Sequence, residues 1–191
     1  MSLEPADIRS DDETRALRRA LEEAQRRIQE LEALADIDEL TGVLNRRGFL
    51  RELRRASSYS ERYEVAIAVG LIDLDLFKHV NDTHGHGAGD AVLVATARFL
   101  THHVRASDVV ARIGGDEFAV ILWHADEEQA SAKLDALMAD LSRTPVAWRS
   151  ATLPVRASAG YAALVPGQPV EDALELADRR LYGAKGRAKA R

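Results

Sequence analysis

The segment EVAIAVGLIDLDLF, residues 64–77, restricts the fold more than any other. It is an almost unbroken apolar run, rich in β-branched side chains, which reads as a buried central strand. It falls well short of the roughly 18 apolar residues that a helix needs to cross a bilayer. The surrounding segments supply what such a strand packs against. DAVLVATARFLTHHV (residues 90–104) puts Leu93, Ala97, Leu100 and Val104 on one helical stripe. DVVARI and FAVIL flank a glycine turn as the two strands of a hairpin. EEQASAKLDALMADL reads as a second amphipathic helix, LPVRASAGYAAL as a further strand, and VEDALELADRRLYGAKGRA as a closing helix. The order of helix, strand, helix, hairpin, helix, strand and helix describes an α+β fold with helices packed on one sheet.

The first 35 residues differ. Between Asp11 and Leu34 there is neither Gly nor Pro, and Leu17, Leu21, Ala24, Ile28, Leu31 and Ala35 recur at heptad spacing between charged flanks. That pattern predicts a coiled-coil stalk over residues 1–35 and a domain over 36–191. The alternative is a single amphipathic helix lying on its own domain. The two alanines make the seam weak, and Asp38 continues the seam where the domain begins.

Composition then excludes several functions. The chain has no cysteine, which removes disulfides, thiolate metal sites and cysteine nucleophiles. A formal net charge of −5 argues against a broad nucleic-acid footprint. With no membrane segment and no signal peptide, the expectation is a soluble, cytoplasmic chain.

Chemistry concentrates at the end of the central strand. Alternate strand residues share a face, so Asp73 and Asp75 point the same way, and Asp73 should sit at the rim of the sheet, partly dried. A carboxylate there is costly without a cation or donor beside it. If the hairpin pairs with this strand, its turn brings Asp116 and Glu117 to the same rim. Carboxylates converging without Cys or His make a hard-oxygen site suited to Mg²⁺ or Mn²⁺, with Lys78 as counter-charge for phosphate. Solvated acidic loops and an ordinary GGDE hairpin turn are the alternatives.

The segment NDTHGHGAGD (residues 81–90) carries three glycines within five residues and predicts a tight loop leading into a helix. It lacks the ending of a Walker A loop. Asp90 fits either a helix N-cap or a guanine reader, because a carboxylate accepts the two parallel donors of guanine and adenine presents no such pair. Asn81 could complete that readout. His84 and His86 fit a transition-metal pair poorly beside so many hard oxygens.

These residues resemble the diguanylate cyclase, or GGDEF, family. The likeness is carried by GGDEF at Gly114–Phe118, by DELTGVLNRRGF from Asp38, by DLDLFKHVNDTHGHGAGD from Asp73, by RASAGYA, and by ADRRLYGAK in the last helix. It spans roughly Asp36 to Lys189. It implies a mostly antiparallel sheet flanked by helices, similar to the palm of polymerases and adenylate cyclases. It implies joining of two GTP molecules into cyclic di-GMP with release of two pyrophosphates, across a homodimer whose halves each hold one GTP.

By this resemblance Asp73, the Leu74 carbonyl, Asp116 and Glu117 hold the metal, with Asp116 as proton acceptor. Asn81, His86 and Asp90 hold the guanine and ribose end. Lys78, the amides of Leu76 and Phe77, Lys185 and Lys189 hold phosphates. Arg105 and Asp108, in RASD, match the family's Arg-x-x-Asp motif where the product binds and inhibits; a plain salt-bridged turn is the alternative. The chain departs from the family where AKGRAKAR replaces a Gly-Arg-Asn segment. Lys189 there neutralises a phosphate but cannot fork onto it.

Overall fold

A computed structural model describes residues 36–189, together with Leu21 and Glu23, both helical. The chain divides into two units, Met1–Asp36 and Ile37–Arg191. The second carries the sheet. The heptad seam falls, apart from Leu21, outside the described residues, and so does pairing of two copies through it.

In chain order the elements are β1 (Leu44–Asn45), α1 (Arg46–Tyr63), β2 (Ile67–Leu74), α2 (Phe77–His84), α3 (His86–His103), β3 (Val109–Arg112), β4 (Glu117–Trp123), α4 (Glu127–Ser142), β5 (Val146–Trp148), β6 (Ala151–Leu153), β7 (Ala157–Ala163) and α5 (Val170–Lys189). The main sheet has the order β1-β3-β4-β2-β7; β5 and β6 form a separate hairpin. Apart from the parallel β1–β3 pair, its strands are antiparallel. The molecule is an α+β fold.

All eight residues of β2 are buried, as its apolar run requires. Alternation divides them between two cores. Ala68, Ile72 and Leu74 face α3 and α4 through Val92, Leu93, Leu100, Leu134 and Leu137. Ile67, Val69 and Leu71 face α1 and α5 through Phe49, Leu53, Ala177 and Leu181. Local signals agree with these boundaries. The Asn45 side chain accepts from the amides of Arg47 and Gly48 to cap α1, and Asp126 with Gln129 forms a capping box on α4. The outer margin of β7 is met by Arg180 from α5, whose Nη1 donates to the Tyr161 carbonyl at 2.9 Å and whose Nη2 pairs with Glu127 at 2.6 Å.

Three expectations are corrected. The strand expected over LPVRASAGYAAL is broken: β6 ends at Leu153 and β7 starts at Ala157, because Pro154 cannot donate to a ladder. Asp38 is on no helical seam. It closes a turn, accepting from Thr41 N at 2.9 Å and from Thr41 Oγ1 at 2.6 Å. The glycine-rich NDTHGHGAGD is a joint between two helices rather than a loop, hinged at Gly85 with φ +81°. Asp90 is therefore the fifth residue of α3 and not its cap.

Candidate active site

The site is built at one end of β2. Register places Asp73 opposite Glu117 of β4 on one side and opposite Ser158 of β7 on the other. Directly paired antiparallel residues share a face, so all three lie on the α5 side. Asp73 is 8% exposed, and the Lys185 ammonium reaches down from α5 to within 2.6 Å of its Oδ2. The Asp116 carbonyl accepts the Leu74 amide at 3.1 Å, which ties the glycine turn to the strand end. Asp75 continues the rim, its amide donating to the Arg156 carbonyl at 2.8 Å and its Oδ1 accepting from Ser158 Oγ at 3.0 Å.

Partial burial raises the pKa of Asp116, and the Asp73 charge raises it further; its own backbone hydrogen bond, Lys185 and Arg112 pull it back. Asp73 and Asp116 thus share one rim, and the Lys185 charge acts on both.

Glu117 starts on that face but turns away. Its carboxylate occupies the space where a Gly114 Cβ would stand, while Gly115 has open space around it. Gly114 therefore accommodates Glu117, whereas the freedom to approach a substrate belongs to Gly115. Glu117 also borders a cavity of about 330 Å³ between α1 and α5, with Phe49, Leu50 and Leu181. Two acids already share one ammonium, and a third directed at them would add like-charge repulsion. Among the described residues no three acidic or histidine side chains stand close enough to hold a metal ion. The donor chemistry still suits a hard cation: Asp73 and Asp116 offer carboxylate oxygens beside the Leu74 backbone, and Glu117 needs only rotation about its own side-chain bonds to join them.

Beyond β2 the chain turns through Leu76, at φ +59° and 74% exposed, into α2. The first amides of a helix have no partner inside it, so Phe77 and Lys78 present N–H groups suited to an anion. Lys78 is exposed beside them. Asn81 and Asp90 come from adjacent helices across the Gly85 hinge. A Cβ on Gly89 would collide with Asn81 Oδ1 and lie 3.1 Å from the Phe77 ring, so the glycine is what lets α2 and α3 close on each other. His86, Asp90 and the half-buried Asn81 edge one exposed surface. Lys189 closes α5, and its side chain lies outside the described residues.

Arg105 and Asp108 lie at the opposite end of β3 from the glycine turn. Asp108 accepts the Arg105 amide at 2.9 Å and the Trp123 amide at 3.0 Å. It is a turn-forming residue, and the expected alternative of an Arg105–Asp108 salt bridge is not present among the described ion pairs. Arg105 is exposed.

One contributor escaped the sequence reading. Arg112 donates to the Gly115 carbonyl through Nε at 3.2 Å and Nη2 at 2.8 Å, and through Nη1 to both Asp38 oxygens at 3.3 and 3.2 Å. It clamps the acidic turn to the opening segment. The Asp-x-x-Thr pattern of DELT signals only the turn that Asp38 closes, not its pairing with Arg112.

The family model "Diguanylate cyclase, GGDEF domain" matches residues 35–191. The chain belongs to the GGDEF family. This GGDEF chain is 39% identical over 170 residues to an uncharacterized signaling protein of Caulobacter vibrioides, covering 87% of the chain and 21% of that protein. It is 34% identical over 157 residues to diguanylate cyclase DosC of Escherichia coli, covering 81% of the chain and 34% of DosC. It thus spans a fifth to a third of these two relatives. The coiled coil and GGDEF domain of DgcB from Caulobacter crescentus, solved in complex with c-di-GMP, superposes with a TM-score of 0.77 at 28% identity over 95% of both chains. Among the described residues no helix is long and apolar enough to cross a membrane.

Proposed function

We propose that this GGDEF domain condenses two GTP molecules into cyclic di-GMP with release of two pyrophosphates. The observation that carries the reading is the shared rim: Asp73, buried and under the Lys185 ammonium, beside Asp116 with its raised pKa. Asp73, Asp116, Glu117 and the Leu74 carbonyl would hold Mg²⁺ or Mn²⁺, which when bound supplies charge neutralisation on the triphosphate.

The chain's own groups do the rest. Lys78, Lys185 and the amides of Leu76 and Phe77 hold the phosphates, joined by Lys189 at the end of α5. Asn81 and Asp90 read the guanine, and His86 borders the ribose. Phosphoryl transfer asks mainly for positioning and charge balance. Each copy presents one GTP. In each half-reaction the 3′-oxygen of one nucleotide bonds to the α-phosphorus of the other. The bond from that phosphorus to pyrophosphate breaks, and the hydroxyl proton passes to Asp116. A carboxylate that binds its proton more tightly than an ordinary Asp is the better acceptor.

Arg105 and Asp108 form a product-binding site that blocks turnover. The Arg105 guanidinium is free to fork onto guanine O6 and N7. Each Asp108 oxygen, though engaged by a backbone amide, keeps a lone pair for a guanine donor. The homodimer forms through the N-terminal helix.

Incubation with GTP and Mg²⁺ followed by chromatography tests the reaction. Cyclic di-GMP from the wild type and none from Asp116→Asn is the expected result. Binding of cyclic di-GMP without its formation would make the chain a receptor instead.

A further inference from the structure

Trp148 ends β5, outside every motif quoted above, and its indole lies on the first turn of α3. A Cβ built on Gly87 would stand 3.1 and 3.2 Å from the indole carbons Cζ2 and Cη2, so a glycine is what lets the ring approach this closely. Gly87 is the second residue of α3, and Asp90 lies three residues on, close to the same side of the helix. Trp148, Gly87, Asp90, Val94 and Arg98 together border a shallow depression of about 540 Å³. From the hairpin turn, the Arg149 guanidinium carbon lies 5.6 Å from the centroid of the indole ring.

β5 is otherwise held by its ladder with β6 and by Val146 against the core. A partly open cavity of about 260 Å³ adjoins the strand, bordered by Thr96, Phe99, Leu141, Val146, Ala147 and Val155. The fully buried Thr96 hydroxyl at its wall has no hydrogen-bond partner among the described residues. Of the contacts that hold β5, the indole on Gly87 is the one that bears on the first turn of α3. Displacement at either end of this contact passes to the other.

We propose that Trp148 is a positioning residue for the guanine end of the site: seated on Gly87, it fixes the first turn of α3 and with it the placement of His86 and Asp90. The inference rests on the reading of Asp90 as a guanine acceptor.

Steady-state kinetics with GTP on the full chain test it. Trp148→Ala is expected to raise KM about fivefold or more, with kcat within about twofold of wild type. Trp148→Phe keeps a ring on the glycine and is expected to restore KM. Gly87→Ala, which pushes the ring outward without removing it, is expected to raise KM in the same sense and keeps the test available should Trp148→Ala fold poorly.

A spectroscopic arm separates positioning from general weakening. The chain has two tryptophans, so Trp123→Phe leaves Trp148 as the sole indole emitter. Its emission is expected to change with α,β-methylene-GTP, which cannot release pyrophosphate, and to ignore inorganic triphosphate. An unchanged KM in Trp148→Ala, a fall in kcat at fixed KM, or an emission blind to the analogue while calorimetry shows binding would each overturn the proposal. Wild-type protein that neither binds nor turns over guanine nucleotides would be a distinct result, removing the guanine reading and this inference together.

Discussion

Asp116 is strained by its surroundings before any substrate arrives. Burial and then the Asp73 charge raise its pKa, so its ionised form is disfavoured in the folded chain. The resulting penalty is absent below the unfolded value of about 3.9 and is complete above the raised folded value. Asp116→Asn is therefore expected to raise Tm at neutral pH in metal-free buffer, with a gain that fades as the pH falls through that window. The same substitution is expected to lower cyclic di-GMP formation by roughly 10²–10³-fold or more. A Tm gain independent of pH would contradict the first part. Asp38 has the opposite sign. Burial opposes its charge, but hydrogen bonds from the Thr41 side chain and backbone, and the Arg112 charge, outweigh it and hold its pKa low. That stabilisation is present above the unfolded value and is lost as the pH falls through the lowered folded one. Arg112→Ala is expected to cost about 2 kcal/mol in urea unfolding at pH 7, with a smaller difference below about pH 4, and to reduce activity by loosening the acidic turn. Asp73 and Asp116 were legible in the sequence because strand parity and hairpin pairing are local rules. The Asp38–Arg112 pair was not, since its partners are 74 residues apart and nothing local marks either for the other. The turned-back Glu117 was hidden for a different reason: a side-chain direction depends on the space that Gly114 leaves and on the charges already present.

At the level of elements, glycine placement separates what a linear reading recovers from what packing decides. The central strand, the hairpin and the closing helix follow from periodicity, and they formed where that periodicity lies. NDTHGHGAGD reads as a loop by composition, yet Gly87 and Gly89 are helical, and they are glycines because Trp148, Asn81 and Phe77 take the space of a side chain. Gly160 is the more demanding case. A Cβ there would overlap the Ala177 carbonyl oxygen and the Leu181 amide nitrogen, both backbone atoms of α5. Gly70 meets only side chains, with a Leu134 methyl at 2.7 Å and a Val120 methyl at 2.9 Å. Side chains can rotate, whereas a helix must move as a body. Gly160→Ala is expected to destabilise by about 3 kcal/mol and Gly70→Ala by about 1 kcal/mol, read from denaturant midpoints. Displacing α5 also carries Lys185 away from Asp73, so only the first variant is expected to lose activity beyond its stability loss. Equal costs for the two would refute the argument.

At the scale of the molecule, the acidic rim and the Arg105 turn stand at opposite ends of β3, so product bound at Arg105, as proposed, would block turnover from a distance and not by filling the rim. Under the proposed reaction, a half-site that holds one nucleotide would do nothing until a second copy faced it. Tethering two copies raises their effective concentration, and a chain starting near Ala35 is accordingly expected to lose most activity at low protein concentration and regain it on concentrating. Equal specific activity with and without residues 1–35 at every concentration would refute that role. A chain that worked in pairs would also have to tolerate crowding, and here the Arg180 guanidinium matters. Resting on the Tyr161 carbonyl and on the tyrosine ring, 5.0 Å from its centroid, it occupies one acceptor on the outer margin of β7 that a foreign strand would otherwise use.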